Sequence, residues 1–395
     1  MRMKKLMILA VAAIALAACS RTFEHHAVEG TPIGFGTWTE TLTKARATAS
    51  NNTAFQNGDK FNIYGYKTKG NPAANTVVFN GDEVSATVSG SDVTWDYTQH
   101  RFWDPAATSY TFYAVLPSNL LNTASTATTD PNYNNAYANN GTFASNAITF
   151  DNPTAFNNDI LVATPLTVAN ATYSAANYKV PLVFNHIASC VDLKLKKDAG
   201  LGNAVVKITS LSLVNIHNAG HFSITYPTDV PVAAWNEEST PGYLGTETSG
   251  NYVYNVTLPD GGATAAGSTT YNDSNVGTTT GNAGEVFSGY VFMPQDILTT
   301  GTQQQIKFTY TLAVGNEAPI EFADQVINIC DFLTSDKNIE ADAYSSTEQN
   351  LRITRWAPKT HYTYTITIGA GAVIAFTASV DNWAAPGTGY QYLVN

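Results

Sequence analysis

The chain has 395 residues and a formal net charge of −11, and only 13% of its residues are charged, against ~25% in typical globular proteins. This acidic balance, with no basic stripe along the sequence, argues against a nucleic-acid partner. Abundant Thr, Tyr, Val and Ile favour strands over helices. The composition therefore predicts an all-β protein, and the length allows two domains.

The first residues predict a lipoprotein signal peptide over residues 1–18. A positively charged start is followed by an apolar run, Leu6 to Ala18, which is shorter than the ~20 residues that span a bilayer. The run ends in the lipobox-like letters LAAC at Cys19. We therefore expect Cys19 to carry acyl chains that hold the protein at a membrane. An ordinary signal peptide followed by a chance cysteine is the alternative interpretation.

A tether, residues 19–46, follows the signal peptide and ends at a basic step. In the stretch GTWTETLTKARATASNN, Lys44 and Arg46 precede a run of small residues. An extended, exposed segment of this kind suits a protease, so we predict cleavage between Arg46 and Ala47. The alternative is that Arg46 is an exposed charge in a loop.

A short strand is predicted within the tether. Ile33 and Phe35 alternate with Gly34 and Gly36, which is typical of a strand that covers a groove with one apolar face. A cut after Arg46 would release this strand, so we interpret it as a gap-filling segment.

Strand signals dominate the rest of the chain. The clearest is HYTYTITIGAGAVIAFTASVDNW, residues 361–383, whose alternation around a Gly-containing turn predicts a hairpin with one buried face. Two stretches poor in aliphatic residues, Ser118 to Asn146 and Gly261 to Gly284, predict surface loops. We expect two β-sandwich domains, residues 47–184 and residues 185–395, the second with a C-terminal extension.

No catalytic or nucleotide-binding motif is present, since the sequence lacks G-x-S-x-G, H-E-x-x-H and a P-loop. His217 and His221 stand four residues apart, but a zinc site would need a third ligand that this motif does not indicate. We therefore predict no catalytic residues, no cofactor and no metal.

The cysteines and tryptophans have structural interpretations. Cys190 and Cys330 each lie within an apolar run. Two buried free thiols and a disulfide between them are both compatible with the sequence. Trp95, Trp103 and Trp383 lie in or beside strands, which favours core packing over stacking on sugars.

Four features stand in order along most of the chain. They are the lipobox at Cys19 with a segment ending in KARA; FQNGDKFNIYGY followed by WDYTQHRFWDPAATSYTFYAVLP; YKVPLVFNHIASCVDLKLK with GYVFMPQDI downstream; and RWAPKTHYTYTITI closing on VDNW. Together they resemble the fimbrillins of Bacteroidales, the subunits of type V pili. The resemblance implies two tandem transthyretin-like β-sandwich domains, export as a lipoprotein, proteolytic maturation and polymerisation by donor-strand exchange.

The resemblance also implies roles for individual residues. Cys19 matches the lipidated cysteine, and Arg46 and Ala47 match the two sides of a bond cut by an arginine-specific protease. Thr31 to Leu42, which includes Ile33 and Phe35, would be part of the strand that the cut releases. The implied partners are other fimbrillin subunits, the same or related, that protease, and the outer membrane reached through lipid.

The C-terminal tail supplies a candidate donor strand. In YQYLVN, Tyr390, Tyr392 and Val394 alternate with residues that include Leu393, and preceding Pro and Gly residues free the tail from folding back. The alternative is that the tail is the last edge strand of its own domain. The extension is short, so the sequence leaves open whether the subunit forms the stalk, the tip or the anchor.

These observations favour a structural subunit of a surface pilus that mediates adhesion. The alternative, from a different class, is a surface-anchored glycan-binding lipoprotein that uses exposed aromatic residues and does not polymerise.

Overall fold

A computed structural model describes most of the chain. The described residues are 31–37, 55, 57–89, 92–121, 142–145, 147–154, 159–173, 178–202, 204–225, 232–237, 242–258, 277–278, 284–334, 341–343, 351–369 and 372–382. The signal peptide predicted over residues 1–18 lies outside these ranges. Within them, no helix has both the length and the apolar character needed to cross a membrane.

β-Strands account for nearly all the regular structure of the described residues, which confirms the all-β prediction. The strands of the first half are β1 (Gly34–Thr37), β2 (Lys60–Lys69), β3 (Ala74–Ser89), β4 (Asp92–Asp96), β5 (Ser109–Leu116), β6 (Thr142–Ala144), β7 (Ile148–Thr149), β8 (Leu161–Ala163), β9 (Leu166–Ala169), β10 (Lys179–Leu182) and β11 (Phe184–His186). The helical segments described are α1 (Asn170–Tyr173) and two 3-10 turns, Ala199–Leu201 and Ile329–Asp331.

The second half continues as strands. They are β12 (Ser189–Lys197), β13 (Val205–Val214), β14 (Ala219–Thr225), β15 (Val232–Glu237), β16 (Thr246–Thr248), β17 (Asn251–Asn255), β18 (Gly277–Thr278), β19 (Gly284–Phe292), β20 (Gln295–Asp296), β21 (Gln305–Ala313), β22 (Ile320–Asn328), β23 (Leu333–Thr334), β24 (Ala341–Ala343), β25 (Leu351–Ile353), β26 (Arg355–Trp356), β27 (Thr360–Gly369) and β28 (Ala372–Asn382).

A seven-stranded sheet organises the first half. Its strands run in the order β11, β8, β5, β2, β3, β4, and β9 also pairs with β5. β5 buries nearly all its side chains, and β2 buries those of Phe61–Tyr66, because this sheet is covered on both faces. One face packs into an aromatic-rich core that includes residues of β1 and β10. The other face contributes Tyr64 and Tyr113 to a separate cluster.

Two sheets enclose the largest core, in the second half. In one, the strands run in the order β18, β12, β27, β28, β23, β25, β24, with β19 also paired to β12; in the other, the order is β16, β17, β13, β21, β22. β27 and β28 pair antiparallel from Thr360 opposite Asn382 to Gly369 opposite Ala372. Every second residue of β27 from Tyr362 is buried, which confirms the predicted hairpin.

A third cluster draws side chains from both halves of the chain. It contains Phe143 and Phe150 together with Phe222 and Val291, and β6 and β7 pair with β14. The domain division between residues 184 and 185 stays a prediction. β11 crosses that position and pairs with β8 of the first-half sheet.

Part of the stretch predicted as a surface loop, Ser118 to Asn146, is buried structure. Phe143 of β6 lies 5.3 Å from Tyr64 and 5.6 Å from Tyr113 between ring centroids, and Leu121 is 5% exposed. The loop prediction was wrong at these positions. A polar stretch with one large apolar side chain becomes a buried strand here because β14, which is distant in sequence, pairs with β6. In the second predicted loop, residues 277–278 form β18, which pairs with β12.

Candidate functional site

The leading strand, β1, lies in a groove of the first-half core. On one side β1 runs parallel to β10, with Phe35 opposite Val180 and Thr37 opposite Leu182. On the other side the residues just before β1 contact a loop: the N–H of Ile33 donates to the carbonyl of Arg101 at 2.8 Å, and Trp103 N–H donates to the Thr31 carbonyl at 3.2 Å. We call this space, bounded by β10 and by residues 101–103, the leading-strand groove.

The side chains of the leading strand are fully inserted into that groove. Ile33 is 0% and Phe35 is 2% exposed. The Phe35 ring meets four others, with centroid distances of 5.9 Å to Phe61, 5.6 Å to Phe79, 5.7 Å to Tyr97 and 6.2 Å to Phe112. Edge and tilted arrangements of this kind add to the energy of burial, so Phe35 lies at the centre of the aromatic core.

The glycines of β1 face the opposite way and allow the close approach of β10. A Cβ on Gly36 would lie 3.3 Å from Cβ of Lys179, which is tighter than most such contacts. A Cβ on Gly34 would meet Cγ of Lys179 at an ordinary 3.6 Å. The alternation of Gly with Ile33 and Phe35 therefore reflects one packed face and one crowded face.

Tyr97 ties the groove to the leading strand. Its hydroxyl donates to the Ile33 carbonyl at 2.8 Å and accepts from the N–H of Arg101 at 3.1 Å. Burial raises the pKa of the Tyr97 hydroxyl, so it stays protonated and remains a donor at neutral pH.

Charged residues brace the loop that forms the second wall of the groove. Asp104 accepts hydrogen bonds from Lys67 Nζ at 2.8 Å, Lys69 Nζ at 3.2 Å and the N–H of Ala106 at 2.9 Å. The Lys67 ammonium, followed by the Ala106 N–H, holds the pKa of the Asp104 carboxyl well below its usual range. The wall is therefore fixed to β2 through this ionised carboxylate.

Only some of the predicted site residues lie in the described part of the chain. Ile33 and Phe35, predicted to belong to a gap-filling strand, lie together in the core. Cys19, Arg46 and Ala47 lie outside the described residues, as do the donor-strand residues Tyr390, Tyr392, Leu393 and Val394 and the last tryptophan, Trp383. Lipidation, cleavage and strand donation stay predictions.

The structure adds two groove residues that the sequence did not single out individually. Tyr97 and Arg101 come from WDYTQHRFWDP, a stretch whose density of aromatic and charged residues was the available signal. Trp95 and Trp103 are 8% and 7% exposed, which confirms core packing. Cys190 and Cys330 are both buried free thiols, so of the two possibilities the structure has the unpaired one.

The chemistry of the groove is that of binding. Its floor is apolar and aromatic, and its walls carry backbone N–H and C=O groups that pair with the leading strand. Ionisable groups at the groove brace the loop.

Comparisons with known proteins give a family match and solved structures of similar fold. A family model described as fimbrillin-like matches residues 45–383. A fimbrial protein from Bacteroides vulgatus has a similar fold, with a TM-score of 0.52 and 18% identity over 89% of this chain and 99% of that one. A cell-adhesion protein from Bacteroides uniformis gives a TM-score of 0.43 and 14% identity over 89% and 98%. No curated protein matches the chain.

Proposed function

The chain belongs to the fimbrillin-like family, and from that premise we propose that it is a structural subunit of a surface pilus that mediates attachment. The family is one of fimbrial proteins and not of enzymes, in line with the lack of catalytic motifs in the sequence. In this proposal the subunit is exported as an outer-membrane lipoprotein through Cys19, cut by an arginine-specific protease after Arg46, and polymerised by donor-strand exchange with other subunits.

The burial of Ile33 and Phe35 carries the proposal. If the leading strand left, β10 would lose the strand with which it pairs among the described residues, and the carbonyl of Arg101 would lose the N–H of Ile33, its shorter hydrogen bond. Unpaired backbone groups beside an apolar slot form a template for another chain. A strand from a neighbouring subunit restores both the ladder and the packing, which is β-strand addition.

The predicted donor has the pattern that the groove requires. The leading strand inserts two side chains two positions apart, Ile33 and Phe35. The tail offers large apolar side chains at the same spacing, Tyr390, Tyr392 and Val394, because alternate residues of a strand point to one face. Each side chain buried contributes roughly 1.5–3 kcal/mol.

The order of features along the chain links release of the lipid anchor to assembly of the fibre. Cys19 and β1 both precede Arg46, so one cut at Arg46 removes the lipid anchor and the strand that fills the groove. Polymerisation is thereby prevented until the subunit has reached the cell surface.

The test replaces Arg46 by alanine, with Lys44→Ala as the matched control for loss of a nearby basic residue. We expect cells with Arg46→Ala to lack surface fibres by electron microscopy and to retain a full-length monomer, while Lys44→Ala cells assemble fibres that begin at Ala47. Fibres formed by Arg46→Ala would contradict the cleavage step. Saturable glycan binding by an uncut monomer, with no fibres in the unmodified strain, would favour the glycan-binding alternative instead.

A further inference from the structure

A cluster of three metal-ligating side chains lies on β12 and β27, outside the leading-strand groove. Cys190 and Asp192 are two residues apart on β12 and so point to the same face. His361 of β27 is the register partner of Cys190. The Cys190 thiol, a carboxylate oxygen of Asp192 and a ring nitrogen of His361 all lie within 4.8 Å of one another.

The geometry of the cluster suits a shared cation better than a hydrogen bond. Nε2 of His361 lies 2.9 Å from Oδ2 of Asp192, yet this buried nitrogen makes no aligned hydrogen bond within the described part of the chain. Bond lengths of ~2.0–2.3 Å place the ligand atoms of a tetrahedral zinc roughly 3.3–3.8 Å apart. The three candidate ligand atoms, all within 4.8 Å of one another, are close to that spacing.

The carboxylate is held in position for this role. Asp192 is 5% exposed, and its Oδ1 accepts the N–H of Gly289 at 2.7 Å. Burial acts to raise the pKa of the Asp192 carboxyl, but the adjacent His361 ring and this N–H outweigh it and hold the pKa below the usual value. Outer-shell bonds of this type orient metal ligands, and the other oxygen, Oδ2, is the one that faces His361.

A second buried carboxylate adds negative charge beside the thiol. Asp159 is 1% exposed; its Oδ1 lies 2.8 Å from His186 Nδ1, while Oδ2 is buried with no hydrogen-bond partner among the described residues. The charge of Asp159 acts on the Cys190 thiol strongly enough to contribute to its pKa shift. A buried carboxylate oxygen without a partner is costly, and a nearby cation offsets that cost.

We propose that Cys190, Asp192 and His361 form a zinc-binding site. A mixed set of thiolate, imidazole and carboxylate ligands is one that zinc accepts, whereas magnesium and calcium require oxygen ligands. Three protein ligands leave a fourth position for water. The side chain of His361 is 23% exposed, although its Nε2 is buried. The bound ion ties β12 to β27 beside the cluster that joins both halves of the chain.

Binding requires the thiol to lose its proton. Burial, with the charges of Asp192 and Asp159, raises the pKa of the Cys190 thiol well above its ordinary value, so the ligand is a neutral thiol before the ion arrives. The step is therefore Zn²⁺ plus Cys190–SH giving a Zn–S bond and one H⁺ released to solvent.

The test uses the full-length chain stripped of metal with a chelator. We expect calorimetric titration with Zn²⁺ to give one site per chain, and Co²⁺ to give a thiolate charge-transfer band in the near ultraviolet. Cys190→Ser should abolish the band and weaken Zn²⁺ binding by more than the ~10–100-fold that loss of an outer-shell partner costs. Cys330→Ser, which alters the other buried free thiol, is the matched control and should change neither.

A second pair of variants guards against misfolding. His361→Gln should weaken Zn²⁺ binding while the far-ultraviolet circular dichroism stays that of the unmodified chain. His100→Gln, which removes the exposed histidine lying 2.9 Å from Asp96, should leave binding unchanged. Failure to bind Zn²⁺, or binding that persists in both folded Cys190→Ser and His361→Gln, would overturn the proposal.

Discussion

At the scale of the residue, Phe35 makes the central aromatic contacts of the leading-strand groove. Four aromatic rings surround it within 6.2 Å, so its removal creates a cavity that rigid neighbours do not fill. The cavity lowers the stability only of a form that contains Phe35. In the proposed fibre, the cut after Arg46 has removed Phe35.

Phe35→Ala is therefore expected to destabilise one form of the protein only. In the uncut monomer the substitution should lower the free energy of unfolding by about 3–5 kcal/mol, measured by denaturant titration. In the cut, assembled fibre it should have no effect. The matched control is Phe79→Ala, because Phe79 contacts Phe35 but stays in the cut chain, so it should destabilise both forms. A Phe35→Ala fibre that dissociates more readily than the unmodified fibre would count against strand release.

Asp104 gives a prediction in pH. Its carboxyl has a pKa far below the ~3.9 of an unfolded aspartate, so its stabilising effect is present above pH ~4 and is lost as the pH falls toward the folded value. Asp104→Asn should lower the free energy of unfolding at pH 7 by about 1 kcal/mol. The difference from the unmodified chain should shrink in urea titrations below pH 4.

Asp96→Asn provides the control for that measurement. Asp96 pairs with His100, but its side chain is 80% exposed, so solvent screens the pair and the effect should be smaller. Equal pH profiles for Asp104→Asn and the unmodified chain would show that the Lys67–Asp104 contact adds no stability to the groove wall.

At the scale of the element, β1 combines deep burial with a short backbone ladder. It spans four residues and pairs with β10 alone among the described strands. Its affinity for the groove rests on side-chain insertion and on the close approach that Gly34 and Gly36 permit. In the proposed maturation, this balance would hold the strand in the intact chain and let it leave once the covalent link is cut.

Gly36→Val tests the crowded face of that element. The added side chain would press on Cβ of Lys179, and overpacking of this kind costs about 1–3 kcal/mol. We expect lower stability of the uncut monomer and premature oligomers in size-exclusion chromatography. Gly34→Ala, where the new Cβ makes an ordinary contact, is the matched control and should remain monomeric. Oligomers from both variants, or from neither, would contradict this account of the face.

The elements differ in how far the sequence could predict them. The β27–β28 hairpin was predictable, because unbroken two-residue alternation and a Gly-containing turn are local signals. β6 was not, since Phe143 is a single apolar residue in a polar stretch and its partner β14 is distant in sequence. Ile33 and Phe35 were predictable from their alternation with glycine, but the rings around Phe35 come from β2, β3, β5 and the residue after β4.

The metal-ligating cluster was beyond sequence reasoning for a related reason. Cys190 and Asp192 are close in sequence, but His361 joins them only through the parallel register of β12 and β27. The pair of possible ligands at short spacing in the sequence is His217 and His221. Of these, His217 is buried, packs on Tyr243 and donates its backbone N–H to Gln295.

At the scale of the whole molecule, the proposed cut subunit is incomplete. In the proposal, one segment of its core is supplied first by its own leading strand and then by a neighbour. Family membership and the similar fold of a fimbrial protein are consistent with such a subunit. The exchange itself rests on the groove, the order of features along the chain and the predicted tail.

Hydrogen exchange at β10 tests that central claim most directly. The backbone amides of Lys179–Leu182 should be protected in the uncut monomer, exchange rapidly in a monomer cut after Arg46 and depleted of the released segment, and become protected again in the assembled fibre. Mass spectrometry of peptides covering β10 reports all three states. Amides of β10 that stay protected in the cut, depleted monomer would show that the core closes without the leading strand, and would contradict the account.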